Sequence, residues 1–502
     1  MKFQLSCILS LIILPFLSIA QVKLSDEFKI TKSPPYPVVD AQVKKYFSDG
    51  NGQIITVKKD ENNVIIQKFD ESTGKELSKK IYKDIPGKHE FKDIIQTGSK
   101  LFYIYTIENK KDIMDFYARE IHFSDGTFDS PKLILSSKGK IYKYLNNYEK
   151  RWESTNFNIS YSYDTSKILI NYIRSPVKGD IFFGLYVFDG SMNKLWGDET
   201  KLPQLASEVI LSSCVTNDGV ARLLCNRYQT DQYELFNINA KGQVTTFKMN
   251  FNEKLRFQYF RFFEDVNGNL VWTGYYTRKQ KTEKIYNGSY PIEGIFSSVI
   301  DSSGNMKYAK EMEFPQEINN LFENKNALNK VNKDWPGIYD LYPIKVMPTE
   351  NNSILFVGEI YSTTSSSSPG SLNNRMETTT SFHHDDVLIT LINKDGSIEW
   401  IKKLPKKDYS EFKFIHSENE SYILFIENDK STGSEDYLTF YKVDDATGNF
   451  SKQFLFDIND ILGEKLHQFD LTRIFKAKSN VFFLEAYMKG DEDKMFRMEM
   501  VK

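Results

Sequence analysis

The chain has little cysteine, little histidine and, past its first twenty residues, no long apolar run. Three cysteines occur in 502 residues. Cys7 sits in the N-terminal apolar run, which leaves Cys214 and Cys225 on either side of the turn Asn217-Asp218-Gly219. Were the flanking segments a hairpin, either plausible register would leave the two sulfurs off the directly opposed position, so two buried thiols are expected rather than a disulfide. The fold must then rest on its core, which a chain of this length can supply. No apolar stretch after the N-terminal one approaches the roughly 20 residues that a membrane-spanning helix needs, so no transmembrane span is expected in the mature chain. An excess of charge of one sign is also missing. The 65 Lys and Arg face 67 Asp and Glu, which argues against nucleic acid as a partner. Six histidines are spread over the chain, and G-x-S-x-G, H-E-x-x-H and phosphate-cradling Gly-rich loops are absent.

Lys2 precedes an apolar run from about Leu5 to Ile19, and Ser18-Ile19-Ala20 before Gln21 has the small-x-small form of a cleavage site. Residues 1–20 therefore read as a secretory signal peptide. Cys7 lies inside the run rather than at its end, the wrong place for a lipid-modified N-terminus. The mature chain is expected to be exported, with the periplasm favoured over the outside because no Ig-like sorting domain follows the last strand. The Ala-Gln junction and the Lys/Asn/Ile/Phe-rich composition resemble those of secreted proteins of Bacteroidota.

A repeat fills residues 21–502. Eight segments share a small or polar turn residue followed by an apolar, β-rich run: GQIITVK from Gly52, SKLFYIYTI from Ser99, SKILINYIR from Ser166, GVARLLCNRY from Gly219, GNLVWTGYYT from Gly268, NSILFVGEIYS from Asn352, ESYILFIEN from Glu420 and SNVFFLEAYM from Ser479. Apolar runs of this length between turn residues are strands covered on both faces. A turn follows seven of them after one more strand, as in FDESTGKEL at Phe69, FDGSMNKLW at Phe188, INKDGSIEW at Ile392 and VDDATGNFS at Val443. Asp or Asn accepts backbone hydrogen bonds there and Gly supplies positive φ, so it joins a third strand to a fourth. The expectation is an all-β, eight-bladed β-propeller of four-stranded antiparallel blades. The eighth unit lacks its own fourth strand, and Asp26–Thr31, with Phe28 and Ile30 alternating, is predicted to supply it. A seven-bladed ring is the alternative, with the divergent last unit outside it.

Units of about 60 residues exceed the ~40–45 of a compact blade, so insertions are expected. They fall near 137–154, 278–293, 315–336 and 362–385, in the loops between second and third strands or between blades, and all open on one face of the disc. The stretch from Gln316 predicts a short helix with Ile318, Leu321 and Phe322 to one side. The Ser/Thr-rich tract from Ser362 reads as a mobile loop by composition.

His383-His384-Asp385-Asp386 is the densest set of metal-capable side chains, and His383 and His384 are the candidate ligands. Adjacent residues on a strand point to opposite faces, so the pair can share an ion only on irregular backbone. SDGNG at Ser48 and EDVNGN at Glu264 have the look of short calcium loops but lack the Glu of an EF-hand, and the same residues serve ordinary turns. A glycosidase carboxylate pair has no local signature. No cofactor is implied. The insertions carry Tyr142, Tyr144, Tyr148 and Trp152 among basic residues, then Tyr286, Tyr290 and Trp335. Of these, Tyr142, Tyr148, Trp152, Tyr286, Tyr290 and Trp335 form the candidate partner-binding set, since aromatics dominate binding hot spots. Their ordinary alternative is to pin long loops to the disc.

FDESTGKEL, INKDGSIEW and VDDATGNFS resemble the repeats of pyrroloquinoline-quinone-type propellers, and the blade pattern is similar to WD40-type repeats at the level of the fold. Only Trp196 and Trp400 stand at the docking-Trp place, with Tyr308 and Phe247 as substitutes, so the resemblance implies the fold and no quinone site. The function expected is a non-catalytic interaction module of the cell envelope, binding a protein partner as an accessory subunit of an outer-membrane secretion or surface machine. The alternative is a glycan-binding or glycan-hydrolysing propeller, for which paired axial carboxylates beside an exposed aromatic would be the sign.

Overall fold

The computed structural model describes residues 24–501 apart from 62, 110–112, 142–143, 146–153, 156, 176–181, 201–207, 228–231, 250–251, 253, 279–290, 302, 323–336, 350, 370–375, 407–411, 418–419 and 430–434. The signal segment lies outside the described residues. None of the described helices is long and apolar enough to cross a membrane.

The described strands form nine antiparallel sheets, eight of them blades built on a four-strand meander and the ninth a two-stranded pair, Tyr144–Leu145 with Ser154–Thr155. In chain order the blades span residues 43–82, 89–138, 140–200, 208–249, 255–313, 341–404, 413–457 and 466–500. Blade 3 gains the short strand Lys140–Ile141, which extends it beside Asn158–Tyr161. The eight apolar runs are the second strands, and the reason they are apolar throughout is visible in how they alternate. In blade 2, Leu101, Tyr103 and Tyr105 pack toward blade 1, while Phe102 and Ile104 pack toward blade 3. Eight hydrophobic clusters result, each shared by two neighbouring blades. No blade buries its own faces alone, so the ring folds as one unit.

Closure runs through the N-terminus. Phe28–Lys32 lies antiparallel to Glu492–Met500, with Phe28 opposite Met500 and Ile30 opposite Met498. Blade 8 thus has its fourth strand from the other end of the chain, as the sequence predicts. Tyr36, Ile54 and Phe69 meet Phe475, Phe483 and Met495 across the last joint. The seven-bladed alternative is excluded, because blade 8 stands in the ring between blades 7 and 1.

The fourth strands dock on the next blade through single aromatics. Trp400 donates its indole N–H to the Asp445 carbonyl at 3.0 Å, and its ring covers Gly448, where a Cβ would come within 2.5 Å. Tyr308 covers Gly396 in the same way, at 2.3 Å. Both glycines have positive φ, 65° and 82°. Each is therefore required twice, by the turn and by the ring above it. Tyr308 takes the docking place expected of it, and the girdle is held by mixed rings rather than by Trp alone.

Three local readings can be settled. Cys214 stands opposite Arg222 and Cys225 opposite Ile210, and both are buried and not disulfide-bonded, as expected. The helix after Pro315 is Gln316–Phe322 and buries Ile318 and Phe322, but Leu321 is 51% exposed. An i, i+4 pair reaches the sheet and the neighbouring residue swings away. The Ser/Thr tract is not a loop over most of its length. Strands Ile354–Pro369 and Met376–Ile392 continue as a long hairpin with Ser362 opposite His383 and Pro369 opposite Met376. Composition reports side chains, whereas a ladder is made by the backbone, which β-branched Thr favours.

Candidate functional site

First strands approach one another around the central axis, those of blades 8 and 1, 3 and 4, 4 and 5, and 5 and 6 most closely. Those of blades 2, 4, 5 and 6 carry bulges, which re-aim side chains out of strict alternation. Asp93 and Lys345 directly follow two of these bulges.

At the end of the axis where the first strands begin lies a cleft of about 490 Å³. Its charged lining is Lys44 and Lys45 from blade 1, Lys413 from blade 7, and Asp470 and Arg473 leading into the first strand of blade 8. Asp470 caps the short turn Leu471–Arg473, accepting from the Thr472 N–H at 2.8 Å. That cap fixes Arg473, which is 9% exposed and has a buried Nη1 with no hydrogen-bond acceptor. Burial, then the neighbouring Arg473, pushes Lys44 below its ordinary range. Burial, then Lys45, with Lys345 also acting, does the same to Lys413, and Asp470 opposes it. Lys345, although exposed to solvent, is lowered by the protein packed around it and then by Arg261 of blade 5. Cations from blades 1, 7 and 8 therefore line one space, and Lys345 of blade 6 acts on Lys413 from outside that lining. Asp93 offers only a distant partner, 3.8 Å from Lys45.

Behind the cleft Tyr46 stacks on Phe475 at 4.9 Å and donates its hydroxyl to Glu485 at 2.6 Å. Glu485 also accepts from Tyr36 at 2.9 Å and Lys58 at 2.5 Å. Burial would raise this carboxyl, but Lys58 and the two tyrosine hydroxyls hold it below the usual range. Asp493, 3.6 Å from Lys58 and wholly buried, is pushed up by desolvation and then by the Glu485 charge. These two acids and one lysine are sealed inside the joint of blades 8 and 1, where they serve closure.

His384 is placed on the third strand of blade 6, opposite Tyr361. Its Nδ1 lies 3.1 Å from Glu359 Oε2, and Lys406 Nζ reaches the other oxygen at 2.7 Å. Burial raises Glu359, and the His384 and Lys406 contacts outweigh it, leaving the carboxyl below its ordinary range. His383 occupies the adjacent strand position, and its side chain lies outside the described residues. Among the described residues no three His, Cys, Asp or Glu side chains converge as a metal set. The acids of the calcium-like loops are engaged in their turns: Asp49 accepts from the Asn51 and Gln53 N–H groups, and Asp265 from those of Asn267 and Asn269. Tyr142, Tyr148, Trp152, Tyr286, Tyr290 and Trp335 lie outside the described residues.

The axial cations were missed by motif reading, which has no template for residues contributed by three separate blades. A usable signal existed in the short segments before each apolar run, where VKKYFS, LYPIKVMP and KFIHS carry lysine beside apolar residues.

No protein-family model matches the chain, and no curated protein matches it. Among solved structures it is similar to the WD40 domain of SCAP from fission yeast, at 9% identity and TM-score 0.41, covering 95% of this chain and 99% of that one. The C-terminal WD40 domain of Sif2 is similar at 6% identity and TM-score 0.40, covering 96% and 100%. The polysaccharide lyase Uly1 is similar at 9% identity and TM-score 0.38, covering 93% and 90%. The eight-bladed assignment rests on this chain's own strand order.

Proposed function

We propose that this protein is an exported, non-catalytic binding propeller of the cell envelope, and that its insertion-bearing face receives an acidic segment of a protein partner in the axial cleft. The observation that carries this reading is Arg473, a nearly buried guanidinium with an unmet N–H, in a cleft where burial and neighbouring cations push Lys44 and Lys413 below their ordinary range. Holding like charges together costs free energy that an arriving carboxylate removes. Because the cations come from separate blades, the ring is rigid before binding, which limits the entropy lost. An accessory subunit of an outer-membrane secretion or surface machine is the instance of such a module that we favour.

The test is recovery of a stoichiometric partner by the tagged protein from detergent-solubilised envelopes, compared with a Lys45→Glu/Lys413→Glu variant. The expected result is a partner band lost from the variant at moderate salt. Repeated recovery of the chain alone would overturn the interaction. Recovery that is equal with the variant would move the interface off the axis.

A further inference from the structure

A second cleft, of about 500 Å³, lies between blades 4 and 5 on the face opposite the axial cleft. The turns bounding it join first to second or third to fourth strands: Asn217 and Asn239 in blade 4, Asn267 in blade 5. Its floor is a cross-strand row, since Arg222 stands opposite Asn237 and Asn237 opposite Thr245. On the same sheet face Leu224, Leu235 and Phe247 are packed against blade 5. The row is the next step of that face toward the turns, where polar residues replace the apolar seam.

Arg222 is 4% exposed, and its Nε is buried with no acceptor. Asn237 Oδ1 is likewise buried and accepts no hydrogen bond. The two are direct cross-strand neighbours and do not satisfy each other. Across the cleft Glu264, 6% exposed, uses Oε2 to accept from the Asn217 N–H at 2.9 Å. Burial raises the Glu264 carboxyl, and the Asn217 bond and Arg222 oppose the rise. An unmet buried donor and an unmet buried acceptor side by side each cost free energy. The group that answers both is a hydroxyl, which accepts through its oxygen and donates its hydrogen. The charge of Arg222 is offset by Glu264 and Asp218 at the wall, so nothing favours a charged ligand. The lining is otherwise amide and hydroxyl side chains, and the volume falls within the roughly 300–1000 Å³ of ligand pockets.

We propose that this interblade cleft is a binding site for a neutral saccharide, with one sugar hydroxyl held between Arg222 and Asn237 and a second donating to Glu264. Recognition is by hydrogen bonds, since no aromatic side chain lines the cleft to stack on the ring. The site is on the face away from the axial cleft, so saccharide and protein partner can be held together.

The experiment is saturation-transfer NMR and calorimetry of the mature full-length protein with methyl glycosides of glucose, galactose, mannose and N-acetylglucosamine, beside inorganic phosphate and glycine. At least one glycoside should bind saturably. Arg222→Gln and Asn237→Leu should each weaken it by about tenfold, equal to about 1.4 kcal/mol. Asn267→Ala, on an exposed turn, gives a second variant that leaves the core untouched and should weaken binding less. Lys413→Glu should leave it unchanged, which separates this site from the axis. Failure of all four glycosides, equal binding by Arg222→Gln of unaltered melting temperature, or saturable binding of phosphate or glycine alone would each overturn the proposal.

Discussion

Lys58 and Glu485 are 427 residues apart in the chain and meet at 2.5 Å with neither exposed. One stands on the second strand of the first blade and the other on the second strand of the last. Their contact, with both tyrosine hydroxyls on the same carboxylate, marks where the ring locks. Replacing Glu485 by Gln leaves Lys58 without its closest counter-charge, and a loss of about 3–5 kcal/mol is expected in urea unfolding, the scale for breaking a buried pair.

Asp493 should behave oppositely. Its folded pKa is raised, so its contribution is complete below the ordinary carboxylate range and is lost as pH rises through the folded value. Asp493→Asn is therefore expected to leave stability unchanged in mild acid and to raise it above neutrality. Urea midpoints of the two proteins from pH 4 to 9 check this, and a constant difference across that range would contradict it.

Glu359 has the reverse sign again. Its pKa is lowered, so the stability it adds is present above the ordinary carboxylate range and disappears as pH falls through its lower folded value. Glu359→Gln should lower the melting temperature at pH 7, where Lys406 loses its buried partner, and the difference from the parent protein should close as pH falls toward 3. Melting temperatures between pH 3 and 7 measure the effect.

Gly448→Ala adds a Cβ 2.5 Å from the Trp400 ring at a residue of φ 65°. Overpacking costs roughly 1–3 kcal/mol, and strain at positive φ adds to it. The expected signature is a lower melting temperature with a changed Trp400 fluorescence, because the indole must leave the turn.

Phe28 packs edge-on against Tyr422, Phe440 and Phe482. Its truncation to Ala should cost about 2 kcal/mol, in line with burial of one large apolar side chain. Deleting residues 24–32 exposes the edge of Glu492–Met500 and should produce concentration-dependent association in light scattering.

Much of this architecture was legible because a two-sided blade writes itself into single strands. SKLFYIYTI is apolar at successive positions since odd and even residues enter different joints. Asp-Gly turns and the missing fourth strand of the eighth unit were local or countable features. The Ser362 hairpin was misread because its stability lies in backbone pairing that composition does not report. The axial site and the interblade cleft were invisible for another reason. Lys45, Lys345, Lys413 and Arg473 are spread over more than 400 residues, and each alone is an ordinary surface cation.

The sequence by itself determined the repeat, the strand order, the apolar seams and the need for a borrowed strand, because each follows from side-chain period, turn chemistry or a count of units. Only the tertiary structure decided what sits where the blades converge. A propeller gathers one or two side chains from every blade at its axis and in its joints, so charge becomes concentrated, as around Arg473, or polar groups are left unmet, as at Arg222. Such neighbourhoods are set by the closing of the ring, and no window along the chain contains them.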